Sequence, residues 1–204
     1  MLDCHAILLI GPTGSGKTPL GEAMERHGVH GCRTVHFDFG SHLRAAVAHP
    51  EEYPLLSPAD VALLDKKLKT NALLEDREFH LAEKIIASFV EHKQLSRGQY
   101  IILNGLPRHA GQAEAMGSLV RVREVIYLDC SAEGVRTRII NNEGGDRASR
   151  SDDSAAEVER KLEIFREQTL PLLDYYRKQS VPVRTIRIEQ GVGIDDVLRR
   201  VVIP

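Results

Sequence analysis

The run AILLI at positions 6–10 leads directly into Gly11-Pro12-Thr13-Gly14-Ser15-Gly16-Lys17-Thr18, a complete G-x4-G-K-T. A short aliphatic run closed by glycine reads as a buried strand. Residues 17–27 after it have the pattern of an amphipathic helix. Between the two, glycines let successive backbone N–H groups curl inward around phosphate oxygens. Lys17 then brings a cation to the terminal phosphates and Thr18 a hydroxyl for Mg2+, while the helix N-terminus adds partial positive charge. Gly11, Thr13, Gly14, Ser15, Gly16, Lys17 and Thr18 are therefore the expected phosphate-binding residues of a nucleoside triphosphate site.

Working outward, four more apolar runs have the length and β-branched character of buried parallel strands: Thr34–Phe37, Tyr100–Leu103, Val125–Leu128 and Val183–Ile188. Helical patterns fill 58–71, 76–94, 110–120, 132–141, 155–178 and 193–202, with Pro171 expected to kink or end the first part of the long one. Strands alternating with helices predict an α/β fold, a P-loop nucleoside triphosphate hydrolase fold with a five-stranded parallel sheet and helices on both faces. One domain is expected, with its core at 1–38, 76–141 and 155–204. The helical segment 39–75 and the polar stretch 142–154 (NEGGDRASRSDDS) interrupt the β–α rhythm. Both follow strand ends, where ligands of α/β sheets bind, so each reads as a surface excursion or as a lid that closes over a ligand.

The chain has 204 residues and a formal net charge of −2. That balance argues against nucleic acid as a partner. Of its 27 basic residues, 19 are Arg and 8 are Lys, a skew that suits forked recognition of phosphate but equally fits composition alone. Cys4, Cys32 and Cys130 show no zinc spacing and no disulfide framework, so no structural zinc is expected, and Cys32 and Cys130 read as small buried hydrophobes. No apolar run reaches membrane-spanning length, and the N-terminal run lacks a basic flank. A reduced, cytoplasmic protein without membrane partners is expected.

A phosphate loop alone does not decide the reaction. The NKxD signal of GTPases is missing, and the third strand ends IILNG, with Asn104 where a metal-holding acid would fall.

Three further segments resemble the nucleoside monophosphate kinases, adenylate kinases most closely. Phe39-Gly40-Ser41-His42-Leu43-Arg44-Ala45-Ala46-Val47 is similar to their TGDMLRAAV. Leu103-Asn104-Gly105-Leu106-Pro107-Arg108, followed by Gln112-Ala113-Glu114-Ala115-Met116, is similar to DGFPR…QAxAM. Arg150-Ser151-Asp152-Asp153, then Glu157, Lys161, Phe165, Thr169, Pro171 and Tyr175-Tyr176, follow the same order as the family's C-terminal pattern, and Leu73-Leu74-Glu75-Asp76 resembles LVPD. The likeness runs over nearly the whole chain.

The resemblance implies transfer of the ATP γ-phosphoryl group, with Mg2+, to a nucleoside monophosphate, most readily AMP, by a monomer. It implies that Arg44 and Arg108 grip the acceptor phosphate, that Phe39, Gly40 and Gly105 line its site, and that Gln112 holds its base. It makes 39–75 an acceptor-binding insertion and 142–154 a short lid, with Arg138, Arg150 and Lys161 matching lid and hinge cations around the transferred group and Arg147 an additional candidate. Catalysis would then rest on Lys17, Arg108, Arg138, Arg150 and Lys161, and Arg150 and Lys161 would also touch the acceptor. Cations there spread the charge of a loose, in-line transition state.

The chain departs from the family pattern at several sites. Phe39 stands for Thr, Ser41 for an acid, Asn104 for the Asp that holds a metal-bound water, Asn142 for Arg and Lys161 for Arg. These substitutions keep open a kinase of another small acceptor, or a nucleotide-binding protein without turnover.

Overall fold

Strand register brings the chemistry to one edge. In the computed structural model, which describes residues 5–70, 72–95, 98–145, 154–189 and 191–202, five parallel strands pair in the order β2-β3-β1-β4-β5. They are β1 His5–Ile10, β2 Thr34–Asp38, β3 Tyr100–Asn104, β4 Arg121–Asp129 and β5 Val183–Arg187. Leu9 lies opposite Asn104, and Asn104 opposite Asp38, so β1, β3 and β2 end together.

The central strands are buried on both faces, and their alternation divides the core in two. Ala6, Leu8 and Ile10 join Phe37, Ile101 and Leu103 on one face, whereas Ile7 and Leu9 join Ile102, Ile126 and Leu128 on the other. Strands covered on both faces need continuous apolar runs, which explains why these read so plainly in the sequence. Helices α1 (Lys17–His27), α6 (Ala132–Ile140) and α9 (Ile194–Val202) cover the second face. On the first face lie α2 (Phe39–Ala48), α3 (Pro58–Thr70), α4 (Phe79–Lys93) and α5 (Ala110–Gly117). Tyr53, Leu64 and Leu74, from the inserted segment, belong to the same core cluster as Phe37 and Phe89. The insertion is thus anchored by the main core.

Two expectations need correction. The fourth strand starts at Arg121, before the expected Val125, because buried Glu124 is neutralised by Arg184 of β5 at 3.0 Å and meets His30 at 3.2 Å. Cys32 is only partly buried, in a turn where its backbone pairs with Val29, while Cys130 is buried as expected. The long C-terminal helix is interrupted at Pro171, as expected. It comprises α7 (Ala155–Ile164), a π-helical stretch Phe165–Thr169 and α8 (Leu172–Lys178). The Leu170 N–H donates to the Phe165 carbonyl at 2.8 Å, the wider i→i+5 spacing. This break coincides with a change of face: Val158 and Leu162 pack in the second cluster, but Phe165, Leu172 and Tyr176 in the first. Among the described residues no helix is long and apolar enough to cross a membrane.

Candidate active site

The phosphate loop has the backbone its sequence demands. Gly14 and Gly16 have φ of 74° and 96°, left-handed conformations that side chains disfavour. A Cβ on Gly14 would also come within 2.8 Å of Ile139. The N-terminus of α1 has no side-chain cap and no acid in its first turn, so its uncapped N–H groups and dipole suit an anion. Lys17 folds back over the loop, its Nζ donating to the Gly11 and Pro12 carbonyls at 2.7 Å each.

Facing the loop are the ends of β2 and β3. Thr18 Oγ1 donates to Asp38 Oδ2 at 2.7 Å and accepts from Asn104 Nδ2 at 3.0 Å. Asn104 Nδ2 also donates to Asp38 Oδ2 at 2.7 Å. Asp38 Oδ1 accepts from the Ser41 N–H at 2.9 Å, capping α2. These are hard oxygen donors, one of them a carboxylate, the chemistry that suits Mg2+.

Beyond them lie Arg44 and Arg108. Arg44 extends from α2 to the mouth of the cleft. Arg108 is fixed at three points: Nε donates to the Gly105 carbonyl at 3.0 Å, its N–H to Gln112 Oε1 at 2.8 Å, and its carbonyl accepts from Thr169 Oγ1 at 2.9 Å. Burial pushes the Arg108 guanidinium down and Asp38 pulls it back up; with an ordinary value above 12 it stays charged. Among the described residues no carboxylate lies within ion-pair distance of it, which leaves its charge available to an anion. Phe39 is buried in the wall beside Gly105, with its Cβ where a side chain at 105 would press.

One cleft of about 240 Å3 is lined by Gly11, Thr13, Gly14, Gly16, Lys17, Thr18, Phe39, Gly40, Arg44, Asn104, Gly105, Arg108, Gln112 and Lys161. The remaining expected residues lie elsewhere. Ser15 is buried under the loop, its Oγ without a partner. Arg138 is only 4% exposed and sits beneath the loop. Its Nε donates to Gly14 O and its Nη1 to Val192 O, both at 3.3 Å, and Nη1 pairs with Glu143 at 2.8 Å. It forms a wall of a second cleft with Asp129, Arg187 and Glu189. Arg147, Arg150, Asp152 and Asp153 lie outside the described residues. Gln112 reaches the cleft with its amide engaged, Nε2 donating to Leu74 O at 2.9 Å while Oε1 takes the Arg108 N–H.

Two charged lining residues, Asp38 and Lys67, are not among the expected site residues. Asp38 closes Thr34-Val35-His36-Phe37-Asp38, itself an apolar strand ending in an acid. Lys67 belongs to the charge run Asp65–Lys69, which reads as a solvated face. Instead its side chain is 12% exposed, bonded to Glu78 at 2.6 Å and to Leu73 O at 3.3 Å.

With this geometry established, comparison with known proteins gives the chain's relatives. A family profile described as an AAA domain matches residues 10–159. The chain is 30% identical over 190 residues to the adenylate kinase of Parvibaculum lavamentivorans, covering 88% of this chain and 82% of that one. It is 28% identical over 204 residues to the adenylate kinase of Stenotrophomonas maltophilia, covering 96% of both. With that of Phocaeicola vulgatus it shares 29% over 180 residues, 85% of each chain.

Proposed function

The chain belongs to the adenylate kinase family, with a P-loop AAA-type domain, and on that premise we propose that it phosphorylates a nucleoside monophosphate, AMP foremost, from ATP. An oxygen of the acceptor phosphate attacks the γ-phosphorus, the bond from that phosphorus to the β,γ-bridging oxygen breaks, and two ADP result. The acceptor oxygen is already anionic, so no general base is required.

The observation that carries this reading is the shared cleft, lined by Lys17 and the phosphate loop together with Arg44 and Arg108. In-line transfer needs two phosphate grips facing one another, and catalysis here is mostly positioning and electrostatics. Lys17 and the N–H groups of the loop hold the donor phosphates. Arg44 and Arg108 orient the acceptor phosphate, and Lys161 adds charge at the reacting end. Arg138 supports the loop from below, and the cleft it borders suits the donor's nucleoside. Residues 39–75 bind the acceptor, and closure of 142–154, with Arg150, excludes water. Charge neutralisation across the β- and γ-phosphoryl oxygens is the chemistry magnesium bound with ATP supplies; Thr18 would hold it directly and Asn104 through water.

The test is ADP formation with Mg·ATP and AMP, GMP, CMP or UMP in turn. Turnover fastest with AMP is expected. Tight ATP binding without turnover on any of them would overturn the proposal. One observation favours a second acceptor class: apolar Phe39 walls the cleft and the Gln112 amide is engaged. Faster turnover with a non-nucleotide phosphate acceptor than with AMP would establish that alternative.

A further inference from the structure

We propose that Asp38 is the carboxylate that holds the nucleotide's divalent cation at Thr18, a charge moved from the end of β3 to the end of β2. This rests on the reading that the cleft binds Mg·ATP.

The Thr18 hydroxyl has one hydrogen and two lone pairs. Its hydrogen goes to Asp38 Oδ2 and one lone pair takes a hydrogen of Asn104 Nδ2. Asp38 thereby fixes the hydroxyl rotor, leaving the second lone pair to face a cation. Asn104 Nδ2 spends its other hydrogen on the same carboxylate oxygen. An ionised carboxylate only accepts, so the amide must present nitrogen to it, and Asn104 Oδ1 is turned away as an acceptor for a cation-bound water. The Ser41 N–H on Oδ1 holds the carboxylate plane in place. Asp38 itself lines the cleft. A small hard cation keeps several waters and takes one or two carboxylates, and this cluster offers one.

The pairing also explains residue 104. Strand register sets positions 38 and 104 opposite each other, and the side chains meet at 2.7 Å. Two carboxylates at that distance do not both ionise. One charge and one amide satisfy every donor and acceptor of the contact, so Asp38 and Asn104 are a matched pair, and Asp38 positions both Thr18 and Asn104.

The test is calorimetric titration of the full chain with Mn·ATP, and with ATP in excess chelator. Asp38→Asn, which still caps α2, is expected to weaken Mn·ATP binding by about tenfold or more and to leave chelated ATP binding unchanged or tighter. Asp38→Asn with Asn104→Asp returns the charge to β3 and should recover Mn·ATP affinity to within about threefold. Asp38→Ser, another good cap, replaces Asp38→Asn if that variant does not fold. Equal losses with and without metal, or unchanged Mn·ATP binding, would overturn the assignment. The function reading fails separately, through absence of turnover in a protein whose metal response still depends on Asp38.

Discussion

His36 of β2 lies in the space where a side chain on Gly21 of α1 would begin, its imidazole closer to that point than any real Cβ contact. The ring is held there with Nε2 buried and without a partner. Glycine inside a helix costs up to about 1 kcal/mol relative to alanine, so Gly21→Ala would ordinarily stabilise α1. Here the methyl group meets a wedged ring, and overpacking of that kind costs about 1–3 kcal/mol. Urea denaturation should therefore show Gly21→Ala less stable, and Gly21→Ala with His36→Ala restored. A rise in stability from Gly21→Ala alone would refute the packing relationship.

Acidification should weaken the fold before most carboxylates titrate. Burial pushes both His36 and His42 below the ordinary value of 6.5, while Asp38 pulls each back up. The unfolded chain takes up protons near 6.5 that the folded chain refuses. Stability is thus full above that value and falls as pH drops from it towards the lowered folded values. Urea midpoints between pH 7.5 and 5.5 should decline, less steeply in His42→Gln and more steeply in Asp38→Asn. A flat profile would show that the two rings do not resist protonation.

Lys67 and Glu78 join α3 to the turn before α4 at 2.6 Å, with side chains 12% and 10% exposed. Burial raises the Glu78 carboxyl, but the Lys67 ammonium and the Glu75 N–H outweigh it and hold the group below its ordinary value. Lys67→Met should cost about 2–3 kcal/mol, because it leaves a carboxylate with too little solvent to replace its partner. Adding Glu78→Gln should return much of that. Additive losses in chemical denaturation would mean that the pair does not act as a unit.

The arginines should separate in steady-state kinetics. On the proposed reading Arg44, which lines the cleft, grips the acceptor phosphate in both ground and transition states. Arg44→Ala should raise acceptor KM about 10- to 100-fold, the worth of one charged hydrogen bond, with kcat within about threefold. On the same reading Arg150→Ala should mainly lower kcat, since a cation that spreads charge on the transferring group acts most strongly in the transition state. Equal, small effects from both would put the acceptor site elsewhere.

Much of the fold was legible because the strands buried on both faces leave uninterrupted apolar runs, as at Ile7–Ile10 and Ile101–Leu103. The phosphate loop was legible because its geometry is dictated locally, by glycines at 14 and 16. What escaped depends on partners distant in sequence. Lys67 reads as a surface lysine until Glu78 folds against it. Arg121–Glu124 reads as loop until Arg184 pairs with the buried carboxylate and His30 packs against it. Gln112 is suited to reading a base, and nothing local announces that Leu74 and Arg108 occupy its amide. Asp38 and Asn104 are 66 residues apart in sequence, and only sheet register shows that one complements the other.

The π-helical stretch Phe165–Thr169 sets a phase. An α-helix advances about 100° and 1.5 Å per residue, and the wider turn carries one residue more than that spacing allows. Lys161 on its N-terminal side faces the cleft, while Thr169 on its C-terminal side clasps Arg108. Deleting one residue between them would let the helix rewind, turning Lys161 about a quarter-turn away from the cleft while Thr169 kept its grip. The irregular turn thus works as an angular spacer, keeping Lys161 in the cleft and Thr169 on Arg108 in register along one helix.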